Sequence, residues 1–176
     1  MRNSRLTAAV LAGVFATFVV AVPPASADDE QCPTTGPGGT WKNDNSKLCM
    51  SVDGSKTWGK SVNQYRYVGA PDQHWHLGRT MKDNYGHFYY EIVNELGLCL
   101  AAGNNGNTVD GTPLVQWECN GATDQFWWPR GSSSGPWELV NFRAQSKCAG
   151  VIGGSKDYRA PLVLWTCNGN ADQKWW

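Results

Sequence analysis

Apolar and polar residues fall into two regimes along this chain. From Leu6 to Val22 the side chains are almost wholly apolar, with no polar face. Beyond that run, apolar residues come in short stretches interrupted by Gly, Asn and Asp. The middle of the chain is typical. Phe88 to Val93 leads to a turn, Leu98-Cys99-Leu100 follows, and a Gly- and Asn-rich stretch from Gly103 to Gly111 precedes Pro113 to Cys119. Runs of this length, bounded by turn-forming residues, predict β-strands. No long 3.6-residue period appears outside the N-terminal run, so the expected fold class is all-β.

The N-terminal run bears on where the chain works. Arg2 and Arg5 precede it, and Ala25-Ser26-Ala27 follows it just ahead of Asp28. Basic start, apolar centre and small-residue cleavage site are the order of a secretory signal peptide. The run is short for a bilayer span, so export with removal of residues 1–27 is expected, and no membrane insertion. Cys32 stands too far past the cut to be a lipid-modified first residue. The expected product is a secreted, extracellular chain from Asp28 to Trp176, the size of one domain. Loss of Arg2 and Arg5 leaves 13 basic against 15 acidic residues, a net charge of about −2. That balance offers no footprint for nucleic acid or an anionic membrane.

One element recurs. Asp72-Gln73-His74-Trp75, Asp124-Gln125-Phe126-Trp127 and Asp172-Gln173-Lys174-Trp175 lie 52 and then 48 residues apart. Cys49, Cys99 and Cys148 keep the same phase, and Leu114 to Gly121 matches Leu162 to Gly169. Three landmarks on one period define a threefold repeat. Each unit predicts about four strands, about twelve in all. A unit this short cannot bury its own apolar face, so three units are expected to close around a shared axis. Period-two alternation puts Gln and Trp of each element on one strand face. Trp75, Trp127 and Trp175 are therefore the expected core, with Gln73, Gln125 and Gln173 satisfying buried backbone groups beside them. Cys32, Cys49, Cys99, Cys119, Cys148 and Cys167 make an even set for an oxidising compartment, which favours disulfides, although six cysteines allow fifteen pairings.

Three units ending in Gln-x-Trp, with an early cysteine in each and Trp-x-Cys-Asn-Gly late in two, resemble the ricin B-chain-type lectin family, β-trefoil modules also found attached to bacterial glycoside hydrolases. The resemblance covers Trp41 to Trp176 and leaves 28–40 as an N-terminal extension. It implies a β-trefoil of three four-stranded repeats about a pseudo-threefold axis, and a carbohydrate-binding role. It also implies that early and late cysteines of a unit pair, as Cys99–Cys119 and Cys148–Cys167. The first unit has Tyr67 at the late position, so Cys49 is expected to pair with Cys32.

The resemblance also marks candidate site residues. A ring two residues before the late cysteine offers its face to a pyranose: Tyr65, Trp117 and Trp165. The aspartate that relatives carry two residues after the early cysteine is absent, replaced by Ser51, Ala101 and Gly150. A second hydrogen-bonding position is Asn63, Val115 and Val163, and the position before the glutamine is Asp72, Asp124 and Asp172. The first unit, with Ser51, Asn63, Tyr65 and Asp72, keeps the most polar set. Loss of hydrogen-bonding partners weakens discrimination among hydroxyl patterns, so galactose specificity does not carry over. Asp53, Asn104, Asn105 and Asp110 are loop candidates for replacement contacts.

Other chemistries fit less well. His74, His76 and His87 are read as ordinary surface histidines rather than a zinc site, and no metal or cofactor is expected. No nucleophile elbow, phosphate loop or metalloprotease helix appears. Asp72, Asp124 and Asp172 belong to different units, too far apart for the paired acids of glycoside hydrolysis. The expected function is a secreted, non-catalytic module recognising a polysaccharide or cell-surface glycan. The alternative is a degenerate trefoil that has given up sugars and binds a protein partner, as an inhibitor for example.

Overall fold

The computed structural model describes residues 31–35 and 38–176; the expected leader, 1–27, and the acidic start from Asp28 to Glu30 lie outside the described residues. Among the described residues eleven strands are formed. The first lobe carries β1 (Cys49–Ser51), β2 (Asn63–Tyr65) and β3 (Trp75–Lys82); the second carries β4 (Phe88–Asn94), β5 (Leu98–Ala102), β6 (Thr112–Glu118) and β7 (Phe126–Arg130). The third carries β8 (Trp137–Asn141), β9 (Lys147–Val151), β10 (Leu162–Thr166) and β11 (Lys174–Trp175). The twelfth expected strand is reduced to two bridges, Lys42 to Cys49 and Asn43 to Trp175. Only three residues separate Thr40 from the turn that begins at Asp44, too few for a ladder.

The strands build a β-trefoil. One strand pair of each lobe enters a closed barrel, in which β3, β4, β7, β8 and β11 pair in that order. The segment 39–43 closes the ring. Trp75 N donates to Gly39 O (2.7 Å) on one side, and Lys42 exchanges bonds with Trp176 on the other (3.0 and 2.8 Å). The remaining strands form three hairpins, β1–β2, β5–β6 and β9–β10, that cap the barrel and interlock near its axis. There Val62 N donates to Leu114 O and Leu162 N to Val62 O, both at 2.9 Å.

The core is what the repeat period dictates. Trp75, Trp127 and Trp175 are at most 1% exposed, joined by Trp41, Leu100, Leu114, Leu139, Leu162 and Leu164. Each repeated indole also keeps its N–H bonded: Trp75 Nε1 to Met50 O (3.2 Å), Trp127 Nε1 to Leu100 O (2.9 Å) and Trp175 Nε1 to Ala149 O (3.0 Å). A barrel tryptophan thus ties each lobe's closing strand to its hairpin. Three disulfides staple the lobes, Cys32–Cys49, Cys99–Cys119 and Cys148–Cys167, with Cα separations of 5.0, 5.2 and 5.1 Å. No helix among the described residues is long and apolar enough to cross a membrane.

Candidate functional site

In the second and third lobes the hairpin and the Asp-Gln turn converge on a surface depression. The second lobe's is a cavity of about 570 Å³. Trp117, near the end of β6, stands over it with 40% of its surface exposed. Ala101 and Val115 face each other across the β5–β6 ladder and form its floor. Opposite lies Asp124, in a single 3-10 turn at Thr123–Gln125. Gln125 fixes that turn: its Nε2 donates to Glu118 O (2.7 Å), and its Oε1 accepts from Asn120 N (3.1 Å). Asn104 and Asn105, both left-handed at φ 53° and 58°, complete the rim. The third lobe contributes Arg143, whose Nη1 lies 3.8 Å from Asp124 Oδ1. Gly106 leaves room for that guanidinium, which sits 2.7 Å from where a Cβ would stand. Burial pushes the Asp124 carboxyl above its ordinary value, and Arg143 only partly opposes this.

The third lobe's depression is smaller, about 350 Å³, lined by Trp165 (45% exposed), Gly150, Asn168, Asn170 and Asp172. Gln173 holds its turn in the same way, through Thr166 O (3.0 Å) and Asn168 N (2.9 Å). A Cβ at Gly150 would meet Gln173 Cγ at 2.9 Å and Asp172 Oδ2 at 3.4 Å. The bare glycine is therefore what opens the cavity onto the carboxylate. Burial raises the Asp172 carboxyl too, opposed by a hydrogen bond from its own backbone N–H.

The first lobe, which keeps the most polar set, is built differently. Asp72 is only 1% exposed. Its Oδ2 accepts from Ser51 Oγ (2.6 Å) and Val52 N (2.8 Å), so serine and aspartate satisfy one another inside the lobe. Asn63 is 5% exposed, and its Oδ1 finds no hydrogen-bond partner among the described residues. Tyr65 packs at 5.4 Å from the Tyr158 ring, with the Arg159 guanidinium 5.4 Å from its centroid. Of the loop candidates, Asn104 and Asn105 line the second lobe's cavity. Asp110 is tied to Thr166 N (2.6 Å) and Lys147 (2.7 Å), and Asp53 lies 3.5 Å from Arg159 and 3.8 Å from Lys60. His87 bonds Asp83 and stacks on Trp128, His74 leans on Tyr67, and His76 is exposed.

Two sets of residues that sequence reasoning passed over hold these sites together. Asn43, Asn94 and Asn141 are fully buried at equivalent barrel positions. Asn43 Nδ2 donates to Asp172 O (2.8 Å) and Asn141 Nδ2 to Asp124 O (2.9 Å), so these two aspartate turns are fastened by the lobe that follows each around the axis, whereas Asn94 Nδ2 donates to Gln116 Oε1 (3.0 Å). The spacing to the next cysteine, six, five and seven residues, is a faint signal that the repeat carried. The second set lies in the hairpin loops. Gln116 Nε2 donates to Ser55 O (2.7 Å) and Thr57 O (3.0 Å), and Gly59 N donates to Gln116 O (2.9 Å). These bonds hold a first-lobe loop against the second lobe and bring Trp58 to 5.9 Å from Trp117 between ring centroids.

Fold and site together define a disulfide-stapled trefoil, two of whose lobes present an exposed indole beside a desolvated carboxylate. The chain belongs to the ricin-type β-trefoil lectin domain family, whose model matches residues 37–175. Among solved structures it is similar to the designed threefold-symmetric protein ThreeFoil, with 26% identity, 78% of this chain and 94% of that one covered, and a TM-score of 0.70. It is similar also to an exo-β-1,3-galactanase from Clostridium thermocellum, at 25% identity and TM-score 0.71; the match covers 81% of this chain and spans 30% of the enzyme. A Macrolepiota procera ricin B-like lectin solved with lactose shares the fold, at 18% identity and TM-score 0.58, covering 81% of this chain and 96% of that one. No curated protein matches the sequence.

Proposed function

We propose that this chain is an exported, non-catalytic carbohydrate-binding module that recognises a polysaccharide or cell-surface glycan. A pyranose lies with its C–H face on Trp117 or Trp165, while Asp124 or Asp172 accepts hydrogen bonds from its hydroxyls. The observation that carries this reading is the pairing of an indole, 40% and 45% exposed, with a carboxylate across one open cavity in two lobes. An apolar wall with a few fixed polar groups is the makeup of a small-ligand site. The Clostridium thermocellum relative, a galactan-degrading enzyme by name, supports a carbohydrate role. The first lobe, with Ser51, Asn63, Tyr65 and Asp72, is the weaker candidate in this reading. The three disulfides suit an extracellular life.

Insoluble-polysaccharide pull-down and a glycan array on the protein lacking residues 1–27 test the proposal. Wild type is expected to be retained by at least one glycan, and the double variant Trp117→Ala, Trp165→Ala to be released from it. Retention of that variant at the wild-type level would sink the stacking mechanism.

A further inference from the structure

Trp58 has no place in the repeat-based account. It belongs to the first lobe yet stands beside the second lobe's ring, with the two indoles tilted 43° to each other and 53% and 40% exposed. Two adjoining indoles that merely covered one another would leave less surface in water; these remain open. Nor is the loop that carries Trp58 loosely attached. Gln116, the residue before Trp117, grips the carbonyls of Ser55 and Thr57, accepts from Gly59 N and donates its own N–H to Lys60 O (3.0 Å). Gly59 has φ 77°, and a Cβ there would come within 3.3 Å of the Trp117 ring. Glycine therefore satisfies both the turn and the close approach. Gly59 and Ser61 line the second lobe's cavity, so Trp58 stands at its outer edge.

We infer that the second lobe's site takes two successive rings of a glycan chain, the first in the cavity against Trp117 and the second against Trp58, supplied by the neighbouring lobe. The inference rests on the carbohydrate reading above and deepens it: the ligand of this lobe is an oligosaccharide segment rather than a terminal sugar alone. The other lobes supply the contrast. At the position of Trp58 the second lobe has Asp110, whose carboxylate is occupied by Thr166 and Lys147, and Leu164 replaces the gripping glutamine. The third lobe's site therefore has one ring, Trp165. In the first lobe Tyr158 meets Tyr65, but Arg159 covers that ring and Asp72 is closed by Ser51.

The test uses the protein lacking residues 1–27 in a Trp165→Ala background, so that the second lobe is read alone. Mono- to tetrasaccharides of β-linked galactose, glucose and xylose are screened on an array, and the responding series is titrated by calorimetry. The readout is the ratio of disaccharide to monosaccharide affinity. We expect a ratio of roughly 3–10, the worth of one additional aromatic contact, falling to about 1 in Trp58→Ala and recovering in part in Trp58→Phe. A ratio that stays unchanged in Trp58→Ala, or that is already 1 with Trp58 present, overturns the inference while the carbohydrate reading stands. A blank across all three series, with the wild-type protein also blank, overturns both. Near-UV circular dichroism confirms that the exposed substitutions leave the fold intact.

Discussion

At the scale of single residues, the two carboxylates facing open cavities are the most informative groups. Asp124 and Asp172 are both held above the ordinary aspartate value by burial. Each accepts ligand hydroxyls best when ionised, and a raised value means ionisation is lost sooner as the pH falls. Glycan affinity is therefore expected to decline on acidification at a pH above the usual aspartate range. Asp124→Asn with Asp172→Asn should bind more weakly at neutral pH and show a flatter profile, checked by calorimetry from neutral to mildly acidic buffer. The same shifts bear on stability. The folded chain holds protons that the unfolded chain releases, so between the ordinary and the raised values these groups oppose folding increasingly as pH rises. Gly150 gives a second expectation. Gly150→Ala places a methyl against the buried Gln173, and the overpacking should cost roughly 1–3 kcal/mol. A denaturant melt measures it. Identity was easy to read from sequence at these positions and orientation was not. Asp72, Asp124 and Asp172 are equivalent in sequence, yet Ser51 turns the first into a closed internal pair, while Asp124 and Asp172 line cavities beside Ala101 and Gly150.

At the scale of elements, strand positions were legible because they follow the period, and the disulfide partners because the family resemblance implied them. The expected strands at 88–93 and 113–119 fall within one residue of β4 and β6 at nearly every boundary. The segment at 41–43 was harder, since a strand that makes only bridges leaves too few alternating residues to recognise. The contribution of the staples is calculable. Cys99–Cys119 spans 20 residues, and removing it as Cys99→Ser with Cys119→Ser should cost roughly 3 kcal/mol. Urea melts of this variant, beside wild type, check the value. Contacts between lobes were not legible at all. Aligning units on one another compares each residue with its copies, whereas Trp58 and Arg143 act on residues of a different unit. No intra-repeat pattern encodes that adjacency.

For the whole molecule, one core serves three lobes. Trp127→Ala removes a fully buried indole and its bond to Leu100 O, and roughly 3–5 kcal/mol should be lost. Because Trp75 and Trp175 share that core, the variant should still unfold in one transition at lower denaturant, with fluorescence and far-UV circular dichroism coincident. On the proposed reading, two open cavities on one chain favour a polymer over its fragments, provided both reach it together.

The hydrogen bonds from Gln116 to the loop of the preceding lobe have a consequence for ancestry. A gene fragment encoding one repeat does not carry the whole lining of the second lobe's cavity, because Gly59 and Ser61 before it and Arg143 beyond it are written elsewhere. Copying a repeat therefore copies half of one recognition surface and half of the next. A mutation in the 55–59 loop falls in the first lobe yet acts beside the second lobe's cavity. Changes at such junctions let the lobes' surfaces diverge even while Trp75, Trp127 and Trp175 hold one shared core.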